Sequence, residues 1–315
     1  MTANAVITNQ KGLYMIQKFL QMTAWPMTPP RPYSPFHILL SLAGIGFALC
    51  LSLFLARNPA PISKNQSRWG RKSQGPDSIP ASDRREGRAL RRLFFCGIFL
   101  AVSEVYKQLF LTLVVHPGVY DWWYFPFQLC SVPMYLCLLL PLLPERGRQI
   151  TCTFLQDFSL LGGFLALAEP SGLMHPYITL TLHGFFWHFA LIFIGATCFL
   201  SGLSLRKSAG FLSSLPLFLG CCLAALAINW AAGPETNIAM FYLSPYYPSQ
   251  QVVFHQIALA VGIFWGNVIY VAAAALGGFV IHTGLWMVYR GRKNGRRKHF
   301  SGGTDEQKVS GQSVS

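Results

Sequence analysis

The feature that most constrains this sequence is a series of long apolar runs separated by short clusters of Lys and Arg. A helix needs about 20 residues to cross the hydrocarbon core of a bilayer, and several of the runs reach that length. Apolar residue types occupy 52% of the 315 positions and charged types only 11%, a balance that is rare in water-soluble domains. The sequence therefore predicts an all-α, polytopic transmembrane helix bundle.

The apolar runs and the charges between them predict seven spans. The predicted spans cover residues 36–56, 93–115, 123–143, 149–168, 178–203, 210–232 and 252–289. The last run is longer than one span requires. We interpret it as a single crossing with a tilted or extramembrane extension, because Gly266-Asn267 is its only turn signal.

The basic clusters predict the orientation of the bundle. Residues 57–92, 146–148, 206–207 and 290–298 carry ten, two, two and six Lys or Arg, whereas 116–144, 169–205 and 208–289 carry none. Seven spans place all these clusters on one side of the membrane, and Lys and Arg are enriched in cytoplasmic loops. We expect the N-terminus outside and the C-terminus in the cytoplasm, although three basic residues in the first 35 go against this orientation.

The chain outside the spans divides into three parts. Residues 1–35 form an N-terminal arm, interfacial or loose, that ends in the proline-rich phrase PMTPPRPYSP. The basic loop 57–92 and the basic tail 291–315 are predicted to be disordered, and the transmembrane domain covers 36–290. The net charge of +14 comes from these clusters, so we expect anionic lipid headgroups rather than nucleic acid as their partners.

Cysteine usage indicates neither a metal site nor a disulfide framework. All eight cysteines lie inside apolar runs, without the spacing of metal ligands, and most are predicted to be small packing residues. We therefore expect no metal and no cofactor. Their positions are 50, 96, 130, 137, 152, 198, 221 and 222.

Ionisable groups inside the spans are candidates for function, because they are costly in a bilayer. Glu104 and Lys107 are three residues apart on one helical face and most simply neutralise each other. Asp157 has no basic residue in its own span, so its partner must come from another helix. His255 and His282 lie near the ends of the last predicted helix and are expected to be interfacial.

Cys130, His183 and His188 could form a nucleophilic pair. A thiol attacks only as the thiolate, and a neighbouring histidine is its usual base. Counted from the outer ends of their spans, Cys130 lies about 10 Å deep, His183 about 8 Å and His188 about 15 Å. Depth slightly favours His183, and only one of the two can meet Cys130. A packing cysteine with a hydrogen-bonded histidine remains the alternative.

Short motifs across the chain carry a family resemblance. They are SPFHILL in the first span, Glu104 with Lys107 in the second, FPFQLCSVPMYL in the third, LLGGFLALAEP in the fourth, LHGFFWHFALI in the fifth and AINW, with Asn229, in the sixth. Together they resemble the YwaF and transmembrane protein 164 family of seven-span membrane proteins over about residues 33–289. The chain departs from the bacterial pattern at the site, with Gln128 in place of His and Ala168-Glu169-Pro170 in place of Thr-Pro-Asp.

The resemblance implies an intramembrane acyltransferase whose lipid acyl donor and acceptor meet at a Cys and a His, here Cys130 and His188. Gln128 would orient the site or donate to the oxyanion, and Asp157 would orient the imidazole. The alternative is a transporter or ligand-binding membrane protein, in which Glu104, Lys107, Asp157 and the histidines line a polar cavity.

Overall fold

The structure is a computed structural model that describes residues 3–57 and 81–309, with side chains described for 12–57, 84–207 and 209–291. Its described residues form an all-helical structure. In chain order, the α-helices are α1 Ala3–Met22, α2 Pro35–Arg57, α3 Ala81–Phe110, α4 Val132–Leu139, α5 Glu145–Ala168, α6 Ile178–Ser201, α7 Ser208–Ala232, α8 Val252–Val261 and α9 Ile263–Val309.

Helices α5 and α6 form the centre of the bundle. They approach each other through glycine on both sides: a methyl group at Gly163 would lie 2.7 Å from Ile192 Cγ1, and one at Gly195 would lie 2.6 Å from Leu160 Cγ. Small residues allow this close contact, as is usual between helices in membranes. The approach places the polar side chains of α5 and α6 in the interior of the bundle.

The other helices surround this pair and present apolar side chains outward. Helices α2 and α3 pack on α6, while α7 and α9 pack on α5. On α2, Leu39, Leu42 and Phe47 are 64–69% exposed, an arrangement that suits lipid rather than water. Among the described residues, six helices are long and apolar enough to cross a membrane, and the chain is an integral, multi-pass membrane protein.

The third predicted span is not a continuous helix, so the prediction for 123–143 was wrong in its secondary structure. A short 3-10 helix, Trp122–Tyr124, is followed by a non-helical stretch, then by α4 and a second 3-10 helix, Leu140–Leu142. The chain sequence explains the break, because Pro126 lies in the non-helical stretch and Pro133 lies at the start of α4. Cys130 belongs to the stretch that the prolines leave unwound.

The last predicted helix is two helices. Gly262 has a left-handed backbone, with φ of +87°, and ends the ten-residue α8 before α9 begins. Because Gly266 of α9 lies against Ala258 of α8, the two helices turn sharply on each other. The predicted extension is therefore a separate short helix, and its turn lies at Gly262 rather than at Gly266-Asn267.

Parts of the segments predicted to be disordered are helical. Residues 81–92 belong to α3, where Ala89 and Leu93 are completely buried, and the backbone of 291–309 belongs to α9. Apolar residues spaced by four on one face of α3 explain why this basic sequence folds onto the bundle. Residues 58–80 and 310–315 of the predicted loop and tail lie outside the described residues.

The basic clusters meet at one end of the bundle, which we call the basic end. Arg92 donates to the Leu55 carbonyl near the C-terminus of α2, and Arg85 donates to the Leu200 carbonyl near that of α6. Arg148 of α5 lies 3.7 Å from the Glu86 carboxylate of α3. Arginine favours the negative ends of helix dipoles, so the same charges that signal topology also cap helices.

Helix α1 packs at the opposite end of the bundle. Leu20 is buried, Gln17 donates to the Leu113 carbonyl at 3.1 Å, and the hydroxyls of Thr23 and Tyr106 are 2.7 Å apart. Several large apolar residues of α1 stay exposed, including Phe19 and Met22. The N-terminal arm therefore contains a docked helix with an apolar outer face.

The two ends of the bundle should lie on opposite sides of the membrane. In a Cys50→Ser background, Arg146→Cys at the basic end should be labelled by an impermeant maleimide only from the cytoplasmic side. Glu235→Cys, in the exposed loop after α7, should be labelled only from outside. Labelling of the two positions from the same side would contradict the predicted topology.

Candidate functional site

Cys130 lies two residues before α4, where the unwound stretch meets α6. The Trp187 indole donates its Nε1 proton to the Cys130 carbonyl at 2.9 Å. The Cys130 side chain is half-buried and packs beside the core that includes Cys137 and Leu191. This hydrogen bond satisfies a backbone carbonyl without a helical partner and fixes Cys130 against the helix that carries both candidate histidines.

Lys107 is the positive charge of this region. Its Nζ lies 2.9 Å from Glu104 Oε1, which confirms the predicted pair, and Gln108 also donates to Glu104 at 2.7 Å. Helix α3, which carries this pair, packs on both α4 and α6. The ion pair of α3, the cysteine just before α4 and the histidines of α6 therefore belong to neighbouring, packed segments.

A third histidine, His175, lies in the loop before α6. Burial, together with the Lys107 charge, lowers the pKa of His175 in that loop. The His175 ring lies 6.2 Å from the Tyr124 ring, at the end of the unwound stretch. His175 therefore packs against the segment that leads to Cys130, at the outer border of the site.

The two histidines of α6 have different environments. His188 is buried, and its Nδ1 lies 2.7 Å from the Gly184 carbonyl, so Nδ1 carries the proton and Nε2 is left with the lone pair. His183 Nε2 is buried without a hydrogen-bond partner among the described residues, and its ring lies 5.6 Å from the Trp187 ring. Each histidine thus keeps one nitrogen available.

The helical faces of α6 distinguish the histidines further. His183 is one turn before Trp187 and shares the face that contacts the Cys130 segment, whereas His188 is rotated by about 100° from Trp187. In the part of the chain that the structure describes, no hydrogen bond joins the Cys130 thiol to either imidazole. As the base for Cys130, His183 is favoured by its helical face and by the depth estimate. His188 is favoured by its tautomer, which leaves the Nε2 lone pair available.

Gln128 and Asn229 hold a loop that sequence analysis did not place at the site. The Gln128 amide accepts from Phe241 N–H at 2.8 Å and donates to the Ala239 carbonyl at 3.1 Å. Asn229 is completely buried and accepts from Met240 N–H at 2.8 Å while donating to the Met240 carbonyl at 3.0 Å. Each of the two amides binds backbone N–H and carbonyl groups of this loop. Gln128 thereby anchors the loop beside the site.

The loop held by these amides forms a short 3-10 helix, Met240–Tyr242, that is buried in the bundle. Phe241 and Tyr242 both have φ of +56°, a left-handed conformation that is uncommon for aromatic residues. The Tyr242 ring lies 5.8 Å from the Trp123 ring and 6.2 Å from the Tyr270 ring. Composition alone marked this stretch as a Pro- and Tyr-rich loop and gave no sign of its burial.

Asp157 is not at the Cys130 site. Its carboxylate faces the His282 Nδ1 at 2.9 Å and accepts from Gln156 at 2.8 Å, and all of the Asp157 side chain is buried. The His282 Nε2 donates to the Lys207 carbonyl at 3.0 Å. The prediction that Asp157 orients the catalytic imidazole was therefore wrong, because Asp157 pairs with His282. His282 is buried near the basic end, and its interfacial depth stays a prediction.

The site that remains can support nucleophilic chemistry. It has a half-buried thiol on a segment held by Trp187, two imidazoles with an available nitrogen and, on the neighbouring helix α3, the Lys107 ammonium. Among the described residues, no group of His, Cys, Asp or Glu side chains has the arrangement of a metal site. The fold and this site define a multi-pass helical membrane protein with a polar intramembrane site on a broken helix.

A comparison with models of protein families identifies the family of this protein. The model of the TMEM164 family matches residues 32–289, so the chain belongs to this family and the resemblance seen in its motifs is confirmed. No curated protein and no solved structure matches the chain.

We expect the Glu104–Lys107 pair to stabilise the folded protein. Glu104→Gln or Lys107→Met alone should lower the free energy of unfolding by about 1–3 kcal/mol, because the remaining charge loses its partner in a mostly buried site. The double replacement should cost less than the sum of the two. Thermal unfolding in detergent measures this, and additive losses would show that the charges act independently.

The Asp157–His282 pair should behave in the same way at the other end of the bundle. His282→Leu leaves a fully buried carboxylate without its partner and should cost about 3–5 kcal/mol, seen as reduced expression and a lower Tm. Asp157→Asn combined with His282→Gln should recover part of the loss. His255→Leu on α8 is the matched control, and an equal loss there would contradict the pairing.

Proposed function

We propose that this protein transfers acyl chains between membrane lipids through a thioester on Cys130. The single observation that carries the proposal is the Trp187 to Cys130 hydrogen bond, since it holds the thiol-bearing segment against the helix with both histidines. Membership of the TMEM164 family supports the same cysteine, by the position of its motif.

The chemistry balances with the residues of the site. His188 accepts the Cys130 proton, the thiolate attacks the ester carbonyl of a donor lipid, and the same imidazole gives its proton to the leaving lipid alkoxide. A hydroxyl of the acceptor lipid then attacks the thioester. The imidazole takes the hydroxyl proton and returns it to the Cys130 thiolate, so the enzyme is restored without any further reactant.

Lys107 supplies the charge that this chemistry needs. An ammonium near a thiol favours the thiolate and also stabilises negative charge that develops on the carbonyl oxygen. Glu104 holds Lys107 in place through their 2.9 Å contact. Gln128 acts through the loop it anchors, because both ends of its amide already bind backbone groups.

Internal pairing makes the transporter alternative less favourable. Glu104 is paired with Lys107, and Asp157 is paired with His282, so these charges do not line an open polar pathway. Of the candidate site residues, Cys130, His183 and His188 have no ionic partner among the described residues. The topology proposed with this function has seven crossings, the segment 122–143 being the third, with the basic end in the cytoplasm.

Lipid-directed labelling tests the proposal. In a purified preparation, Cys130 should react with a thiol-reactive electrophile that carries a fatty-acyl chain about tenfold faster than Cys221 does. The reason is that Lys107 and a histidine activate only Cys130. Cys221 is the matched control, since it is also half-buried, on α7. Cys137 should react more slowly still, because it is completely buried. Mass spectrometry of the labelled peptides gives each rate.

Histidine variants then identify the base. His188→Ala should slow the Cys130 reaction about tenfold, and His183→Ala should slow it much less, by the position of the family motif. If only His183→Ala slows the reaction, the base is the histidine on the Trp187 face. If neither replacement matters and Cys130 reacts like Cys221, Cys130 is a packing residue and the acyltransferase proposal is wrong.

A further inference from the structure

A second candidate binding site lies at the basic end, away from Cys130. A niche opens between the α6–α7 turn and α9, lined by Gln156, Arg206, His282 and Trp286, with Leu205 and Leu285 as its apolar walls. Its enclosed part has room for about one water molecule, and the rest of its space is open at the mouth. The niche is therefore a shallow surface feature, and a ligand would contact Arg206 at its mouth rather than enter it.

The niche carries a positive charge without a counter-ion. Arg206 has no acidic partner among the described residues, and its Nε is buried without a hydrogen-bond partner. The Asp157 carboxylate is already bound by two residues of the niche, His282 and Gln156. Since a guanidinium stays protonated, an anion is the group that would complete this site.

Aromatic residues hold the guanidinium in place. Arg206 Cζ lies 4.2 Å from the centre of the Tyr289 ring, and Arg290 Cζ lies 5.4 Å from the centre of the Trp286 ring. Gly202 leaves the space that Arg206 occupies, because a methyl group there would lie 2.7 Å from Arg206 Nη2. The planar donors of Arg206 are thus oriented before any ligand arrives.

We infer that Arg206, with Arg290 over the neighbouring Trp286, binds the phosphate of an anionic membrane lipid at the mouth of this niche. Trp and Tyr mark the boundary between hydrocarbon and water, which is the level of lipid phosphates. The neighbouring outer face of α9 is apolar, with Met287 and Val288 exposed, so acyl tails can lie along it. This site is independent of the proposed acyl transfer at Cys130.

Lipid titration of the purified full-length protein tests the inference. In detergent micelles, dioleoyl phosphatidylglycerol should raise the Tm in a saturable manner, while zwitterionic dioleoyl phosphatidylcholine should not. Arg206→Gln should weaken the apparent Kd for phosphatidylglycerol about tenfold. Arg146→Gln removes the same charge from an exposed position at the same end, and it should change Kd less than about twofold.

A conservative variant separates binding from folding. If Arg206→Gln does not fold, Arg206→Lys keeps the charge and should weaken Kd about threefold, because the planar pair of donors is lost. Equal losses for Arg206→Gln and Arg146→Gln would show a diffuse basic surface and overturn the inference. It would also be overturned if inorganic phosphate alone gave the same Arg206-dependent shift, or if the two lipids behaved alike.

Discussion

The structure depends on one constraint: backbone polar groups that leave a helix inside an apolar bundle must find hydrogen bonds within the protein. Two stretches leave the helix, one around Cys130 and one around Met240–Tyr242. Trp187, Gln128 and Asn229 supply the missing partners from neighbouring segments. These side chains therefore do the work of secondary structure, and they bring the two irregular stretches together.

The same constraint governs the charges. Glu104 meets Lys107 on one helix, whereas Asp157 of α5 meets His282 of α9, far along the chain. Each pair removes an isolated charge from a mostly buried position, at opposite ends of the bundle. Arg206 differs, because its guanidinium is stacked on Tyr289 and has no carboxylate partner in the part of the chain that the structure describes. The pairing of the other charges is what makes the Arg206 niche stand out.

A broken helix gives the Cys130 site its chemical character. Irregular backbone within a membrane protein is tolerated where it is enclosed by protein or lines a cavity, and such places often carry function. The proline-rich stretch before α4 releases Cys130 from a regular helix, and Trp187 then fixes its position. The left-handed Phe241 and Tyr242, held by the Gln128 and Asn229 amides, pack on Phe127 and Trp123 of the segment that leads to Cys130. Strained residues that are held in this way suit a site that must keep a fixed shape.

The sequence by itself determined the class of protein, because the length of the apolar runs and the grouping of Lys and Arg depend only on local composition. It also determined the Glu104–Lys107 pair, since two residues three apart on a helix meet whatever surrounds them. Only the tertiary structure decided the partner of Asp157 and the role of Gln128, because His282 and Phe241 are brought in by other segments. No periodicity records such distant contacts, and the break at Gly262 likewise depends on the packing of α8 against α9.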